Sequence, residues 1–243
     1  MDIMAASLYV PEGLSVVTDV DEVHHYAEGL KNTTYGDLAM HWIGYVPEGY
    51  AQTVINEVGR SRDERIGTLA KIIGNHRGEQ LTQVEINQLI EEQRKMEIEK
   101  FLYGQLSPNF RNADFVRELS ARYGNKIFVG AASSQDHDIV QRILKYPGIK
   151  LWNQLRHVMS VHGTTENKYA AAARWAQIDP SKAATIDDSP SGIRDATQAG
   201  YKVRIAVPNA YTTEDAVKAA GATLVIPDLS CISSENLIEL LLK

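Results

Sequence analysis

The chain has 243 residues, a length that suits one large domain or a core with a smaller second domain. Its 44% hydrophobic residues can build a buried core, and its 23% charged residues are ordinary for a soluble protein. The 25 Lys and Arg against 31 Asp and Glu give a net charge of −6, which argues against nucleic acid or an anionic membrane as the main partner.

The single cysteine and the first ten residues bear on the compartment. Cys231 has no second cysteine with which to form an internal disulfide, and this fits a reducing compartment. Residues 1–10 are too short and carry too little charge for a secretory signal, and no apolar run reaches transmembrane length. We therefore expect a soluble, cytoplasmic protein.

The first predicted element is a short buried strand over residues 14–18 that ends in acidic side chains. This run is too short and too apolar for a helix with a solvated face. Asp19 and Asp21 follow it directly. A lone pair of this kind arises by chance in many proteins, so its meaning depends on the motifs that come later in the chain.

From residue 24 to about residue 106 the pattern becomes helical and charged. Residues 61–64 and 82–85 both have the form of a capping box, and apolar residues recur on one helical face after each of them. We predict an all-helical domain over residues 24–106, inserted into a core domain made of residues 1–23 and 107–243.

After residue 107 short apolar runs alternate with helical patterns. Strands are predicted near residues 126–131, 157–161, 183–187, 202–206 and 223–226, and helices near 112–123, 135–145, 166–177, 190–199, 213–220 and 233–242. Such alternation is typical of an α/β fold with a parallel sheet and right-handed crossovers. Ligands bind at the carboxyl ends of the strands in these sheets.

Polar side chains follow three of the predicted strands. They are the pairs Asp19 and Asp21, Ser133 and Ser134, and Asp187 and Asp188. Because the carboxyl ends of parallel strands meet at one edge of the sheet, we expect these pairs to converge on one site. Four carboxylates beside hydroxyl groups suit Mg²⁺ and a phosphate.

The order of these motifs resembles the haloacid dehalogenase superfamily of aspartyl-phosphate phosphatases and mutases. The most similar branch contains β-phosphoglucomutase and related sugar phosphatases. The resemblance runs from about residue 14 to the end, and residues 19–21 and 187–189, followed by Gly192 and Ile193, carry it most specifically. It implies a Rossmann-like α/β core with a parallel sheet flanked by helices and an inserted α-helical cap domain.

The resemblance also implies roles for the acidic residues. Asp19 corresponds to the nucleophile that becomes an aspartyl phosphate, and Asp21 to the general acid and base. The presence of Asp21 argues against a haloacid dehalogenase, whose relatives lack this second aspartate and the metal. The residues assigned to Mg²⁺ are Asp19, Asp21, Asp187 and Asp188. Among them Asp188 is favoured as a direct ligand, and Asp187 would act from outside the coordination shell or through water.

The chain departs from the family pattern in three places. Glu22 replaces the usual glycine, and Ala131 stands where the family ends its second strand with Ser or Thr. Ser133 and Ser134 would then contact the transferring phosphate after a small shift, or bind a second phosphate, or cap the following helix. Lys168 comes about one helical turn later than the family's lysine, so it either neutralises the phosphate and holds Asp19 or is solvated.

A further candidate lies in the helical domain. Residues 59–64 resemble a Gly-x-Ser-Arg-Glu segment of the mutase branch, in which the arginine holds the distal phosphate of the substrate. Arg62 matches that arginine, whose planar guanidinium suits bidentate binding of phosphate. The alternative is a surface arginine in the first turn of a helix.

These observations favour a Mg²⁺-dependent phosphatase that acts on a small phosphorylated metabolite, such as a sugar phosphate, through an aspartyl-phosphate intermediate. One alternative is a phosphomutase of the β-phosphoglucomutase type. The other is a catalytically weak binding protein with the same fold, suggested by Glu22, Ala131 and the late position of Lys168. Neither nucleic acid nor a membrane is expected as a partner, and the cap-type layout is consistent with a monomer.

Overall fold

The computed structural model describes residues 12–21, 23–26, 28–48, 62–102, 107–162 and 164–243, with the backbone alone for residues 25–26, 28–32, 62–63 and 101–102. The described strands are β1 (Ser15–Thr18), β2 (His25–Tyr26), β3 (Ser107–Pro108), β4 (Phe128–Ser133), β5 (His157–Ser160), β6 (Ala183–Asp187), β7 (Val203–Ala206) and β8 (Leu224–Val225). The described helices are α1 (Glu28–Ile43), α2 (Arg62–Arg77), α3 (Gln83–Leu102), α4 (Phe110–Tyr123), α5 (His137–Lys145), α6 (Lys168–Ala176), α7 (Pro190–Gln198), α8 (Glu214–Ala219) and α9 (Ser234–Leu242).

A six-stranded parallel sheet in the order β5-β4-β1-β6-β7-β8 forms the centre of the fold. This confirms the predicted α/β class. From β1 the chain builds the sheet outward through β4 and β5 on one side and then through β6, β7 and β8 on the other. The direction of building reverses at β1, and in sheets of this kind ligands bind outside the carboxyl ends of the strands at such a point.

Both faces of the sheet are buried. Neighbouring residues of a strand are buried on opposite faces, because side chains alternate along the strand. Val16 contributes to the largest core cluster, on one face, together with Val129 and Ile186. Its neighbour Val17 joins a separate cluster with Tyr169 on the opposite face. Buried valines on both faces of β1 therefore follow from its central position between two helical layers.

The helical insertion packs around a hydrophobic cluster of its own. Leu38 of α1, Ile66 and Ile73 of α2 and Leu89 of α3 are buried there. The chain enters and leaves this unit through the antiparallel pair β2–β3, in which His25 pairs with Pro108. The inserted helical unit is therefore as expected, while the domain limits at residues 24 and 106 stay a prediction.

One of the two capping boxes is present as predicted. The backbone N–H of Thr82 donates to Glu85 Oε2 at 2.8 Å, and the N–H of Glu85 donates to Thr82 Oγ1 at 3.3 Å. The other begins at residue 61, which lies outside the described residues. No helix in the described part of the chain is both long and apolar enough to span a membrane.

The second strand of the core lies two residues later than the sequence pattern suggests. The backbone N–H groups of Lys126 and Ile127 both donate to the Tyr123 carbonyl, at 2.7 and 2.9 Å. These bonds close the end of α4, so β4 starts only at Phe128 and ends at Ser133. The strand therefore ends at a serine and not at Ala131.

A buried asparagine ties the chain beyond β1 to two distant segments. Asn112 of α4 is fully buried, and its Nδ2 donates to the Val23 carbonyl at 2.7 Å. Its Oδ1 accepts from the N–H of Leu229, also at 2.7 Å. One side chain therefore satisfies two backbone groups that are out of reach of regular secondary structure.

We expect Asn112→Ala to lower the free energy of unfolding by about 2–4 kcal/mol, because it leaves a buried carbonyl and a buried N–H without a hydrogen-bond partner. Urea denaturation followed by circular dichroism measures this. Asn87→Ala, at an exposed position on α3, is the matched control and should change stability by less than about 0.5 kcal/mol. Equal stability of the two variants would show that Asn112 does not hold these segments together.

Candidate active site

Three buried carboxylates meet at the carboxyl edge of the sheet. Asp19 follows β1 directly, and its N–H extends the ladder by donating to the Ile186 carbonyl at 2.7 Å. Asp187 ends β6, and Asp188 follows it. Oxygen atoms of Asp19, Asp187 and Asp188 lie within 4.8 Å of one another. The first and last acidic motifs thus converge, as expected for neighbouring parallel strands.

Lys168 lies between two of these carboxylates. Its Nζ is 2.8 Å from Asp19 Oδ2 and 2.8 Å from Asp187 Oδ2, and the residue is only 7% exposed. Asn167 fixes the start of α6 by accepting hydrogen bonds from the N–H groups of Tyr169 and Ala170. Lys168 is therefore the first residue of a capped helix that aims its side chain at the sheet edge. The alternative of a solvated lysine is wrong.

The ion pairs keep the ammonium group charged. Burial lowers the pKa of Lys168, but the negative charges of Asp187 and Asp19 outweigh burial and raise that pKa well above its usual range.

The Asp19 carboxyl experiences opposing influences. Its pKa is raised to about 7 by the balance of these influences: burial raises it most, the charge of Lys168 lowers it, and the charges of Asp187 and Asp21 raise it. Its Oδ1 also accepts from the Val20 N–H at 2.8 Å. One lysine thus faces three carboxylates in the central group. A bound cation would reduce this excess of negative charge and favour the ionised form of Asp19.

Every oxygen of the Asp187 carboxylate is already engaged within the protein. Oδ2 accepts from Lys168 and from the Tyr169 hydroxyl at 2.7 Å. Oδ1 accepts from the N–H and the hydroxyl of Ser189, at 2.9 and 2.8 Å. A side chain held by four donors is suited to orienting its neighbours more than to direct coordination of a metal.

Two neighbours of Asp187 show how closely this carboxylate is enclosed. Burial raises the pKa of the Tyr169 hydroxyl well above its usual range, so Tyr169 remains a hydrogen-bond donor. A Cβ on Gly192, in the first turn of α7, would lie 2.0 Å from Asp187 Oδ2. Glycine is therefore required where this helix approaches the carboxylate.

Asp188 is held by the loop that follows β7. Asn209 Nδ2 donates to Asp188 Oδ2 at 2.8 Å, and the Thr212 hydroxyl donates to the Asp188 carbonyl at 2.9 Å. The N–H of Tyr211 in turn donates to Asn209 Oδ1 at 2.7 Å, which fixes the orientation of the amide. Neither Asn209 nor Thr212 is among the residues predicted for the site. Their only signal was a position just beyond a strand that ends at the same edge.

Ser133 is the last residue of β4 and is 1% exposed, whereas Ser134 is exposed. The backbone N–H of Gln135 donates to Ser133 Oγ at 3.0 Å. This bond engages the hydroxyl oxygen as an acceptor, so its hydrogen can be donated to a ligand. Asp136 is the N-cap of α5, which makes the helix-capping interpretation of the serines wrong.

The structure gives less information on the other predicted site residues. Asp21 is 9% exposed and lies outside the group of three carboxylates defined above, so its assignment to the metal stays a prediction. Glu22 and the side chain of Arg62 lie outside the described residues. The assignment of Arg62 to a distal phosphate is therefore also still a prediction.

Solved structures with the same fold support the resemblance. A haloacid dehalogenase family IA hydrolase from Entamoeba histolytica aligns with a TM-score of 0.75 and 16% identity, over 95% of this chain and 100% of the other. β-Phosphoglucomutase from Clostridium difficile aligns with a TM-score of 0.73 and 15% identity, over 95% and 97%. CbbY from Rhodobacter sphaeroides, solved with phosphate, aligns with a TM-score of 0.69 and 16% identity, over 89% and 94%.

The sequence itself matches no protein-family model and no curated protein. The similarity of structure nevertheless identifies the fold as that of haloacid dehalogenase hydrolases, with a Rossmann-like core and an inserted helical cap.

The raised pKa of Asp19 predicts how the metal-free protein responds to pH. The unfolded carboxyl ionises near its ordinary value of 3.8 and the folded one near 7, so between these values the folded state binds more protons than the unfolded state. The contribution of the Asp19 carboxyl to the free energy of unfolding is therefore fully present below pH 3.8 and is lost as pH rises through 7. Asp19→Asn removes the titration, so its stability relative to wild type should increase between pH 4.5 and pH 8.

Urea denaturation of both proteins in EDTA at several pH values measures that difference. Addition of Mg²⁺ at pH 8 should favour wild type over Asp19→Asn, since a cation offsets the buried negative charge. A stability difference that does not change with pH would contradict the assigned pKa.

Proposed function

We propose that this protein is a Mg²⁺-dependent phosphatase that acts on a small phosphorylated metabolite through an aspartyl-phosphate intermediate. The observation that carries the proposal is the position of Asp19. Its carboxylate lies at the carboxyl end of the central strand, 2.8 Å from the Lys168 ammonium and in one group with Asp187 and Asp188. Such a site presents a nucleophile together with the charges that a phosphate requires.

The donor set suits Mg²⁺, which prefers oxygen ligands and binds through one or two carboxylates. Asp19 and Asp188 would hold the ion, whereas Asp187 orients Lys168 and Asn209 orients Asp188. When bound, Mg²⁺ supplies the positive charge that offsets repulsion between the nucleophile and the phosphate.

Four residues of the chain then have separate roles in the reaction. Asp19 attacks phosphorus, and the bond to the leaving oxygen breaks as Asp21 gives that oxygen a proton. Asp21, now ionised, takes a proton from water, which attacks the aspartyl phosphate. Phosphate leaves and the Asp19 carboxylate is restored. Lys168 balances the charge of the phosphate throughout, and Ser133 donates a hydrogen bond to one of its oxygens.

The proposed substrate class is a sugar phosphate or a similar small metabolite. One structural neighbour is named β-phosphoglucomutase, and CbbY was solved with phosphate. Helices α1–α3, which lie between β1 and β4 in the chain, would form the cap that excludes bulk water and selects the substrate. Cap residues would therefore determine which phosphate ester is hydrolysed.

A phosphomutase is the second candidate, favoured by the match to β-phosphoglucomutase over nearly the whole chain. A mutase must hold both phosphates of a bisphosphate intermediate, whereas a phosphatase releases phosphate to water. Turnover that depends on a catalytic amount of sugar bisphosphate, with no phosphate released, would support the mutase.

We expect Asp19→Asn to abolish phosphate release, because the amide cannot act as the nucleophile. The assay uses sugar phosphates, nucleotides and p-nitrophenyl phosphate, with Mg²⁺ and with EDTA. Activity should fall by at least about 10³-fold in the variant and should be lost in EDTA. Asp215→Asn, at an exposed position on α8, is the matched control and should retain full activity. Asp19→Asn protein with more than a tenth of wild-type activity would refute the proposed nucleophile.

We expect Asn209→Ala to weaken metal binding, because Asp188 loses the amide that orients its carboxylate. The Mg²⁺ concentration for half-maximal activity should rise by about 10–100-fold, while activity at saturating Mg²⁺ recovers in large part. Asn87→Ala serves again as the control. An unchanged Mg²⁺ dependence would show that Asp188 needs no support from the loop after β7.

A further inference from the structure

A buried polar contact joins the helical cap to the turn that follows β4. Glu97 of α3 is fully buried, and its Oε1 accepts from Gln135 Nε2 at 3.1 Å. Its Oε2 accepts from Gln93 Nε2 at 2.7 Å. Gln93 and Gln135 are 1% and 8% exposed. A carboxylate is costly to bury, so a contact made at full burial constrains the structure more than an exposed one does.

Gln135 connects this contact to the candidate phosphate-binding serine. Its side chain reaches Glu97 on the cap, while its backbone N–H donates to Ser133 Oγ at 3.0 Å. Its carbonyl accepts from the hydroxyl of Ser160, the last residue of β5. One residue thus links the cap with the carboxyl ends of two neighbouring strands.

A second contact reinforces the first at the outer side of the interface. Arg94 lies one helical turn before Glu97. Its Nη2 is 3.0 Å from Asp136 Oδ2 and 3.8 Å from Asp138 Oδ2. Its side chain is 36% exposed, so this ion pair contributes less than the buried contact. Both contacts run from α3 to residues 135–138, the segment that leads away from Ser133.

We propose that Glu97 is a positioning residue, which acts through Gln135 to hold the Ser133 hydroxyl in the orientation that contacts the phosphate. The inference rests on the proposed function and extends it, since it couples the position of the cap to the phosphate site. With the cap in place, the Gln135 N–H engages the oxygen of Ser133 and directs the hydroxyl hydrogen toward the ligand. Without Glu97, the turn loses its connection to the cap and the hydroxyl is no longer held.

The kinetic test uses Glu97→Ala, Ser133→Ala and the double variant, with p-nitrophenyl phosphate and Mg²⁺. We expect Glu97→Ala to lower kcat about tenfold or more with a smaller change in KM, as for an interaction realised in the transition state. The double variant should be no slower than Ser133→Ala, because the two residues act through one contact. Additive losses would overturn the proposal.

Conservative and control variants separate positioning from a loss of packing. Glu97→Gln keeps an acceptor for Gln135, and Gln93 can turn its amide because its Oε1 has no hydrogen-bond partner. This variant should therefore retain most of the wild-type kcat. Glu99→Ala, at an exposed position on the same helix, should behave as wild type. If Glu97→Ala does not fold, Gln135→Met removes the same contact from the core side and should give the same loss; a wild-type kcat in that variant would overturn the proposal.

Hydrogen exchange tests the coupling without turnover. In substrate-free Glu97→Ala, amides of residues 133–138 should exchange faster than in wild type, while those of α7 are unchanged. Unchanged exchange in residues 133–138 would overturn the coupling. Failure of the proposed function has a different signature, because wild type would then release no phosphate while the exchange result still reported on the contact.

Discussion

The site depends on one ammonium group held between two carboxylates that come from adjacent strands. Lys168 lies 2.8 Å from both Asp19 and Asp187, in surroundings from which water is nearly excluded. Removing the lysine would leave buried negative charge without compensation, which is strongly destabilising in proteins. The same pairing fixes the Asp19 carboxylate at the edge of the sheet, in one group with Asp187 and Asp188. Stability and the proposed chemistry therefore depend on the same ion pairs, and the hydrogen bond from Tyr169 to Asp187 helps to maintain them.

A layer of supporting contacts surrounds this centre, and each one comes from a different part of the chain. Asn209 orients Asp188, and Gln135 orients Ser133. Asn112 secures the backbone at Val23, two residues beyond Asp21. None of these residues belongs to an acidic motif. Their contacts turn a set of polar strand ends into a site with defined geometry, and Glu97 extends the same support into the cap.

The departures from the family pattern have a physical resolution that bears on activity. Ala131 suggested a missing hydroxyl, but the N–H groups of Lys126 and Ile127 donate to the last residue of α4, so β4 starts at Phe128 and ends at Ser133. Lys168 comes late in the sequence, yet it is the first residue of α6 and reaches both carboxylates. Two of the three reasons for suspecting a weak binding protein are thereby removed. Those findings favour an enzyme, with Mg²⁺-dependent release of phosphate as the activity to measure.

The sequence by itself determined the class of fold, the inserted helical unit and the three carboxylates that meet in the site, Asp19, Asp187 and Asp188. These follow from local patterns: apolar runs of strand length, helical periodicity and polar residues just beyond a strand. The tertiary structure decided the rest. Spacing made Lys168 a candidate but left its role open, because its partners follow β1 and end β6 and only the packing of α6 against the sheet brings them together. Asn112 and Gln135 gave no signal and Asn209 only its position beyond a strand, since an amide becomes informative only when its partner is known. The limits of β4 depended on hydrogen bonds at the end of α4. These bonds use the backbone N–H groups of Lys126 and Ile127, and strand propensity takes no account of them.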